Sequence, residues 1–171
     1  RIREYASVDR ASRASARARI GRDCFVMSYA HVGHDCVLED DVTLANGVQL
    51  GGFVTVEAHA SIGGASAVHQ FTRIGTRAFV GGGSSVRQDV PPFARAAGNP
   101  MRLYGVNAVG LRRAGLTPDA RLAIQRAFRL LFNSELSTTD ALDRLRTEEP
   151  DSPEVRRLLD FFARSDRGVL V

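Results

Sequence analysis

Every sixth residue through the first half of this 171-residue chain is aliphatic. Counted from position 2, the series runs Ile2, Val8, Ala14, Ile20, Val26, Val32, Leu38, Leu44, Leu50, Val56, Ile62, Val68, Ile74, Val80 and Val86; fourteen of the fifteen are Ile, Val or Leu. Four residues further into each hexad the side chain is small or β-branched, as at Ala30, Cys36, Val42 and Val48. Glycine often follows the aliphatic residue: Gly21, Gly33, Gly51, Gly63, Gly75 and Gly81. A period of six matches neither the 3.6 of a helix nor the 2 of a long strand. It describes a short strand plus a tight turn, three of which close a coil of 18 residues. Stacked coils bury one continuous apolar column. The expected fold over 1–91 is therefore a β-solenoid, the left-handed parallel β-helix of hexapeptide repeats. Large aliphatics fill the prism, small residues fit its corners, and the glycines are expected to supply φ > 0 at the turns. From Ile20 to Pro91 the phase never slips, which predicts four coils without a protruding loop. Residues 9–19 keep only Ala14 at a core position and read as a weak coil or a small loop.

After Pro91-Pro92 the hexads stop. Residues 92–106, with Gly98-Asn99-Pro100, read as an extended connector, and 107–171 as a small C-terminal α-helical domain. Thr117-Pro118 supplies an N-cap and a first-turn proline, followed at helical spacing by Leu122, Ala123, Ala127, Leu130 and Leu131. Further helices are expected from Ser137 and from Ser152-Pro153.

Composition narrows the function classes. At 44% hydrophobic and 25% charged the chain is not of disordered type. No apolar run approaches the ~20 residues of a membrane-spanning helix, and no signal-peptide h-region opens the chain, so no membrane insertion is expected. The net charge of +4 could suit nucleic acid, a phosphorylated small substrate or an acidic protein partner. The basic residues are scattered without interleaved aromatics, so nucleic acid is not expected. Cys24 and Cys36 are too few for a disulfide scaffold and fit a reducing compartment. They occupy core corners on different sides of the prism.

The 18-residue coil converts sequence separation into geometry. Residues 18 apart stack about 4.8 Å from one another. His34, Gly52 and Gln70 form one outer column; Asp35, Phe53 and Phe71 form the next; His69 lies beside Gln70. His31 shares a coil with His34, whereas His59 falls on another side and reads as a solvated outward residue. A zinc site is disfavoured: His34 and His69 are nearly two coils apart, roughly 9–10 Å, too far to converge on one ion within a chain. No metal is expected. Acyl transfer suits the column better. A neutral imidazole can take a proton from an attacking hydroxyl, and the Gly52 N–H one coil above His34 can face a developing oxyanion. Asp35 could hold the imidazole, but strand alternation places it on the opposite face unless a turn intervenes.

Several strings then resemble one family. Ile-Arg-Glu at 2–4, Ala-His-Val-Gly-His-Asp-Cys at 30–36, Ile-Gly-Gly at 62–64 and Ala-Val-His-Gln-Phe at 67–71 are among them. Gln-Asp-Val-Pro-Pro at 88–92, Gly-Asn at 98–99, Gly-Val-Asn at 105–107 and Asp-Phe-Phe-Ala-Arg-Ser at 160–165 continue the likeness over nearly the whole chain. It resembles the UDP-N-acetylglucosamine O-acyltransferases that begin lipid A biosynthesis. The resemblance implies a cytoplasmic homotrimer of a Gram-negative bacterium, with active sites in clefts between neighbouring β-helices. It implies an (R)-3-hydroxyacyl donor on acyl carrier protein and the 3-hydroxyl of UDP-N-acetylglucosamine as acceptor. No cofactor is implied beyond the 4'-phosphopantetheine that arrives on the carrier. His34 matches the family's general base, Asp35 its partner and Gly52 the oxyanion-stabilising amide. His31, Gly64, His69 and Gln70 match the substrate cleft; Asn107 and Arg113 match residues reaching the nucleotide or the pantetheine arm. Gly82 falls where acyl-chain length is set and leaves room for a longer chain. Phe53, Val109 and Pro100 depart from the family, which often has His, an acidic residue and His there. The family also carries further N-terminal coils, with an Asp that contacts the acceptor sugar; these are expected to be missing here. Two rival expectations are the related N-acyltransferase acting on the glucosamine amine, and a non-catalytic trimeric remnant that binds carrier protein without turnover.

Overall fold

The hexads become two-residue strands whose second residue points inward. A computed structural model describes residues 1–13, 17–149 and 152–171. Three parallel sheets form the faces of a left-handed prism. The first face stacks Ser7–Val8, His31–Val32, Gln49–Leu50, Ala67–Val68 and Ser85–Val86. The second stacks Arg19–Ile20, Val37–Leu38, Thr55–Val56 and Arg73–Ile74. The third stacks Phe25–Val26, Thr43–Leu44, Ser61–Ile62 and Phe79–Val80. Val32 pairs with Leu50 and Leu50 with Val68, the 18-residue step the period requires. From Val26 to Val86 the inward aliphatics are 0–3% exposed, so the repeat fills one column. At the other end of the stack Ile2 and Val8 are 57% and 43% exposed. Ser7 pairs with His31, 24 residues on, so six extra residues lie between the first strand and the next coil. Ala14, at the expected core position there, lies outside the described residues.

The glycines do not play the expected part. Positive φ falls three residues after each aliphatic, from Asp23 through Asp35, Phe53, His59 and Phe71 to Gly83; only Gly47 and Gly83 among these are glycines. A left-handed backbone costs about 1–2 kcal/mol at a non-glycine residue, and the stacked register imposes it regardless. The glycines after the aliphatics are instead close-approach residues. A Cβ on Gly63 would lie 2.4 Å from the Gly82 nitrogen, and one on Gly75 2.3 Å from the Pro92 nitrogen. Both clashes are with backbone that cannot step aside. Gly63→Ala is therefore expected to destabilise the fold by about 3 kcal/mol, the upper end for overpacking; a denaturation midpoint equal to that of the parent would contradict the close-approach reading.

The 92–106 segment is more than a connector. Ala94–Ala97 pairs in parallel with Phe79–Val80, and Arg102–Val106 pairs antiparallel with it, so both extend the third face. Among the described residues four helices follow: α1 (Ala108–Arg113), α2 (Pro118–Phe132), α3 (Thr138–Glu148) and α4 (Pro153–Ala163). Thr117, Ser137 and Ser152 cap the last three through their side chains, as read from sequence. The short α1 was not expected; Asn107 caps it by accepting from the Gly110 N–H. The helices lock to the second face through Arg73. Its guanidinium bonds Glu57 at 2.7 Å and lies over the Phe161 ring of α4 at 4.8 Å. Buried Asp89 accepts from the Arg73 N–H and the Ser165 hydroxyl, each at 2.7 Å.

Candidate active site

The corner between the first and second faces carries the predicted catalytic column. His34 and Gly52 are one coil apart, with the Phe53 N–H donating to the His34 carbonyl at 2.9 Å. A Cβ built on Gly52 would fall 2.5 Å from both Cε1 and Nε2 of His34. The imidazole occupies the volume that any side chain at 52 would need. No described residue accepts from the Gly52 N–H, whereas its carbonyl accepts from Phe71 at 3.0 Å. The Gly52 amide thus has no hydrogen-bond partner among the described residues.

Asp35 does reach His34. The turn that alternation lacks is the positive φ of 60° at Asp35 itself, which swings the carboxylate back beneath the ring. Oδ2 lies 2.8 Å from Nδ1, and the carboxylate is 2% exposed. Hydrogen bonding from Ser12 first, and from His34 as well, outweighs desolvation and holds the Asp35 carboxyl below its ordinary range. A group with a depressed value contributes its stabilisation above its unfolded value and loses it as pH falls through the depressed one. The dyad therefore stays ionised on the carboxylate side throughout the neutral range. An ionised carboxylate only accepts, so the shared proton sits on Nδ1 and Nε2 presents its lone pair.

Two contributors escaped sequence reasoning. Ser12 donates its N–H to both Asp35 oxygens at 3.1 and 3.2 Å; it lies 23 residues upstream in the irregular stretch, where the repeat gives no register. Phe53 meets the His34 ring edge-on at 5.2 Å and stacks on Phe71 at 4.9 Å. Both aromatics were visible as a column, but not their contact with the imidazole. Cys36, beneath this corner, donates its thiol to the Gly51 carbonyl at 3.0 Å, and burial pushes its pKa to about 11. Cys24 is likewise buried and free.

The remaining predicted residues do not all gather here. His69 and Gln70 lie at the same corner, one coil above Gly51 and Gly52. His31 faces outward on the first face, between the Ser7 hydroxyl at 2.9 Å and Asp9 at 3.8 Å. Gly64 and Gly82 stack at the corner between the third and first faces, where a Cβ on Gly82 would be 3.2 Å from the Gly64 carbonyl. Asn107 and Arg113 sit on a third edge, lining a cleft of about 730 Å³ with Asp41, His59, Arg77 and Val109. His59 corrects the sequence reading: its Nδ1 is 2.7 Å from Asp41 and the ring lines this cleft, so it is not merely solvated. His34 does not line it. One chain thus displays the predicted residues on separate edges of the prism.

Residues 17–52 match the bacterial transferase hexapeptide family of six repeats, and residues 89–170 match Udp N-acetylglucosamine O-acyltransferase, domain 2. The chain is 44% identical over 170 residues to the acyl-[acyl-carrier-protein]–UDP-N-acetylglucosamine O-acyltransferase of Alkalilimnicola ehrlichii. The solved UDP-N-acetylglucosamine acyltransferase from Campylobacter jejuni superposes with a TM-score of 0.93 at 32% identity, covering 99% of this chain and 67% of that one. The chain belongs to the UDP-N-acetylglucosamine O-acyltransferase family. An Arabidopsis UDP-N-acetylglucosamine acyltransferase gives a TM-score of 0.94 at 38% identity, with 99% of this chain and 62% of that one covered. This member spans 66% of the Alkalilimnicola relative, 99% of its own length being aligned, and 59% of a relative from Gloeothece citriformis. Among the described residues no helix is long and apolar enough to cross a membrane.

Proposed function

We propose that this acyltransferase-family chain moves an (R)-3-hydroxyacyl group from acyl carrier protein to the 3-hydroxyl of UDP-N-acetylglucosamine, the first step of lipid A biosynthesis. The observation that carries the reading is the His34 ring, fixed at Nδ1 by Asp35 and lodged where Gly52 has no side chain. Nε2 of His34 takes the proton of the sugar hydroxyl as its oxygen attacks the thioester carbonyl. The C–O bond forms, and the carbonyl oxygen becomes an oxyanion facing the Gly52 N–H. Collapse of the intermediate breaks the C–S bond, and the departing pantetheine thiolate takes the proton back from the imidazolium. Asp35 stabilises that imidazolium while it lasts. His31, His69 and Gln70 line the approach, Gly64 and Gly82 leave a path for the acyl chain, and Asn107 with Arg113 holds phosphate or pantetheine. The names of the relatives support this donor and acceptor.

The site is completed between chains in a homotrimer. Support comes from the separation of His34 and the Asn107–Arg113 cleft on different edges of one prism. Cyclic symmetry about an axis parallel to the prism brings one chain's edge against its neighbour's next edge. Mixing His34→Ala chains with Arg113→Ala chains tests this. Random reassembly leaves roughly a quarter of the sites with both groups intact, so activity is expected to recover far above either parent. Activity equal to the mean of the two parents would reject a shared site, and failure of the unmixed wild type to acylate UDP-N-acetylglucosamine would reject the function.

A further inference from the structure

The segment after α4 brings an arginine to the corner that holds His34. It is fastened at both ends to the coil edge: the Ser165 hydroxyl donates to the buried Asp89 carboxylate, and the Leu170 N–H donates to the Asp89 carbonyl at 2.9 Å. Between them Asp89 donates its own N–H to the Gly168 carbonyl at 3.0 Å, and Gly168 turns the chain at a φ of 74°. This turn lays the half-buried Arg167 across the corner. Its Nη2 lies 3.1 Å from Nδ1 of His69, with the Arg87 carbonyl at 3.4 Å.

Nδ1 of His69 is also 3.1 Å from the Gln70 carbonyl oxygen. The two contacts are incompatible. A guanidinium can only donate and a carbonyl oxygen can only accept, so one ring nitrogen cannot serve both. With Nδ1 protonated, His69 donates to Gln70 and faces the guanidinium with like polarity. With Nδ1 bare, it receives a charge-assisted bond, roughly twice as strong as a neutral one. We infer that Arg167 is a positioning residue that fixes His69 as the neutral Nε2–H tautomer, turning the exposed edge of that ring into a hydrogen-bond donor.

The consequence for substrate rests on the acyltransferase reading. His69 stands one coil above Gly51, beside the Gln70 that continues the His34–Gly52 column. A donor there addresses an acceptor oxygen of the bound substrate, a phosphate or an amide carbonyl, without adding a base that would compete with His34.

Ring-nitrogen NMR of the full chain labelled at histidine tests the tautomer directly, the His69 signals being assigned by their loss in His69→Gln. The wild type is expected to show a bare, pyridine-type Nδ1 and a protonated Nε2. Arg167→Met, which keeps the aliphatic stem, is expected to move the proton to Nδ1 and onto the Gln70 carbonyl; Arg167→Lys, which retains a donor, is expected to restore the wild-type pattern. A protonated Nδ1 in the wild type, or a tautomer that Arg167→Met leaves unchanged, overturns the inference. In turnover, Arg167→Met should raise KM about tenfold, the effect of one lost hydrogen bond, with kcat much less affected. If the tautomer switches and KM stays put, the positioning role stands and the placement of His69 in the substrate cleft is what falls.

Discussion

Replacing His34 with alanine is expected to lower kcat/KM for acyl transfer by about 10²–10⁴-fold, the range for a positioned general base. The fold should survive. His34 is half-buried at a corner, outside the aliphatic column, and Asp35 keeps its bonds from Ser12 when the imidazole is gone. Circular dichroism and the melting temperature should therefore match the wild type while turnover collapses. A His34→Ala enzyme within about tenfold of wild type would remove the mechanism, since a base worth less than that is not acting as one.

Gly52→Ala separates two kinds of glycine in this fold. At Gly63 and Gly75 an added Cβ strikes backbone of the next coil, and the expected loss is stability. At Gly52 it strikes only the far end of the His34 ring, 2.5 Å from Cε1 and Nε2. The ring can swing toward solvent, so the protein should fold and melt nearly as before. What it loses is alignment: the methyl group takes the volume of the ring, and Nε2 is displaced from its place beside Gly52. Steady-state assays should find kcat reduced by about 10²–10³-fold, comparable to deleting an oxyanion-hole donor. An alanine enzyme of normal kcat would mean that the Gly52 amide and the His34 ring do not act on one reacting centre.

Much of this site is legible in sequence because a β-helix is close to one-dimensional. Once the period is six and three sides close a coil, a residue's number fixes its face and height, which is why His34, Gly52 and Gln70 could be stacked before any coordinates. The same arithmetic misplaced the backbone strain. It assigned φ > 0 to the glycines after the aliphatics, whereas the turn residue is three positions along, at Asp35, Phe53 and His59. Composition favours glycine for either reason, and only the clash distances tell close approach from left-handed backbone. The arithmetic also failed where the period fails: Ser12 lies in the irregular stretch, and the strands at 94–97 and 102–106 follow the last hexad.

The chain's own residues determined the prism, its 18-residue register, the family and the stacking of His34 on Gly52, because burial of one aliphatic per side leaves a single way to wind. Tertiary structure alone decided that Asp35 turns back under His34, that His59 pairs with Asp41 in the Arg113 cleft, and that Arg167 reaches His69. Those contacts depend on where a corner bends and where the segment after the helices is fastened. Neither is periodic, and a pattern can report only what repeats.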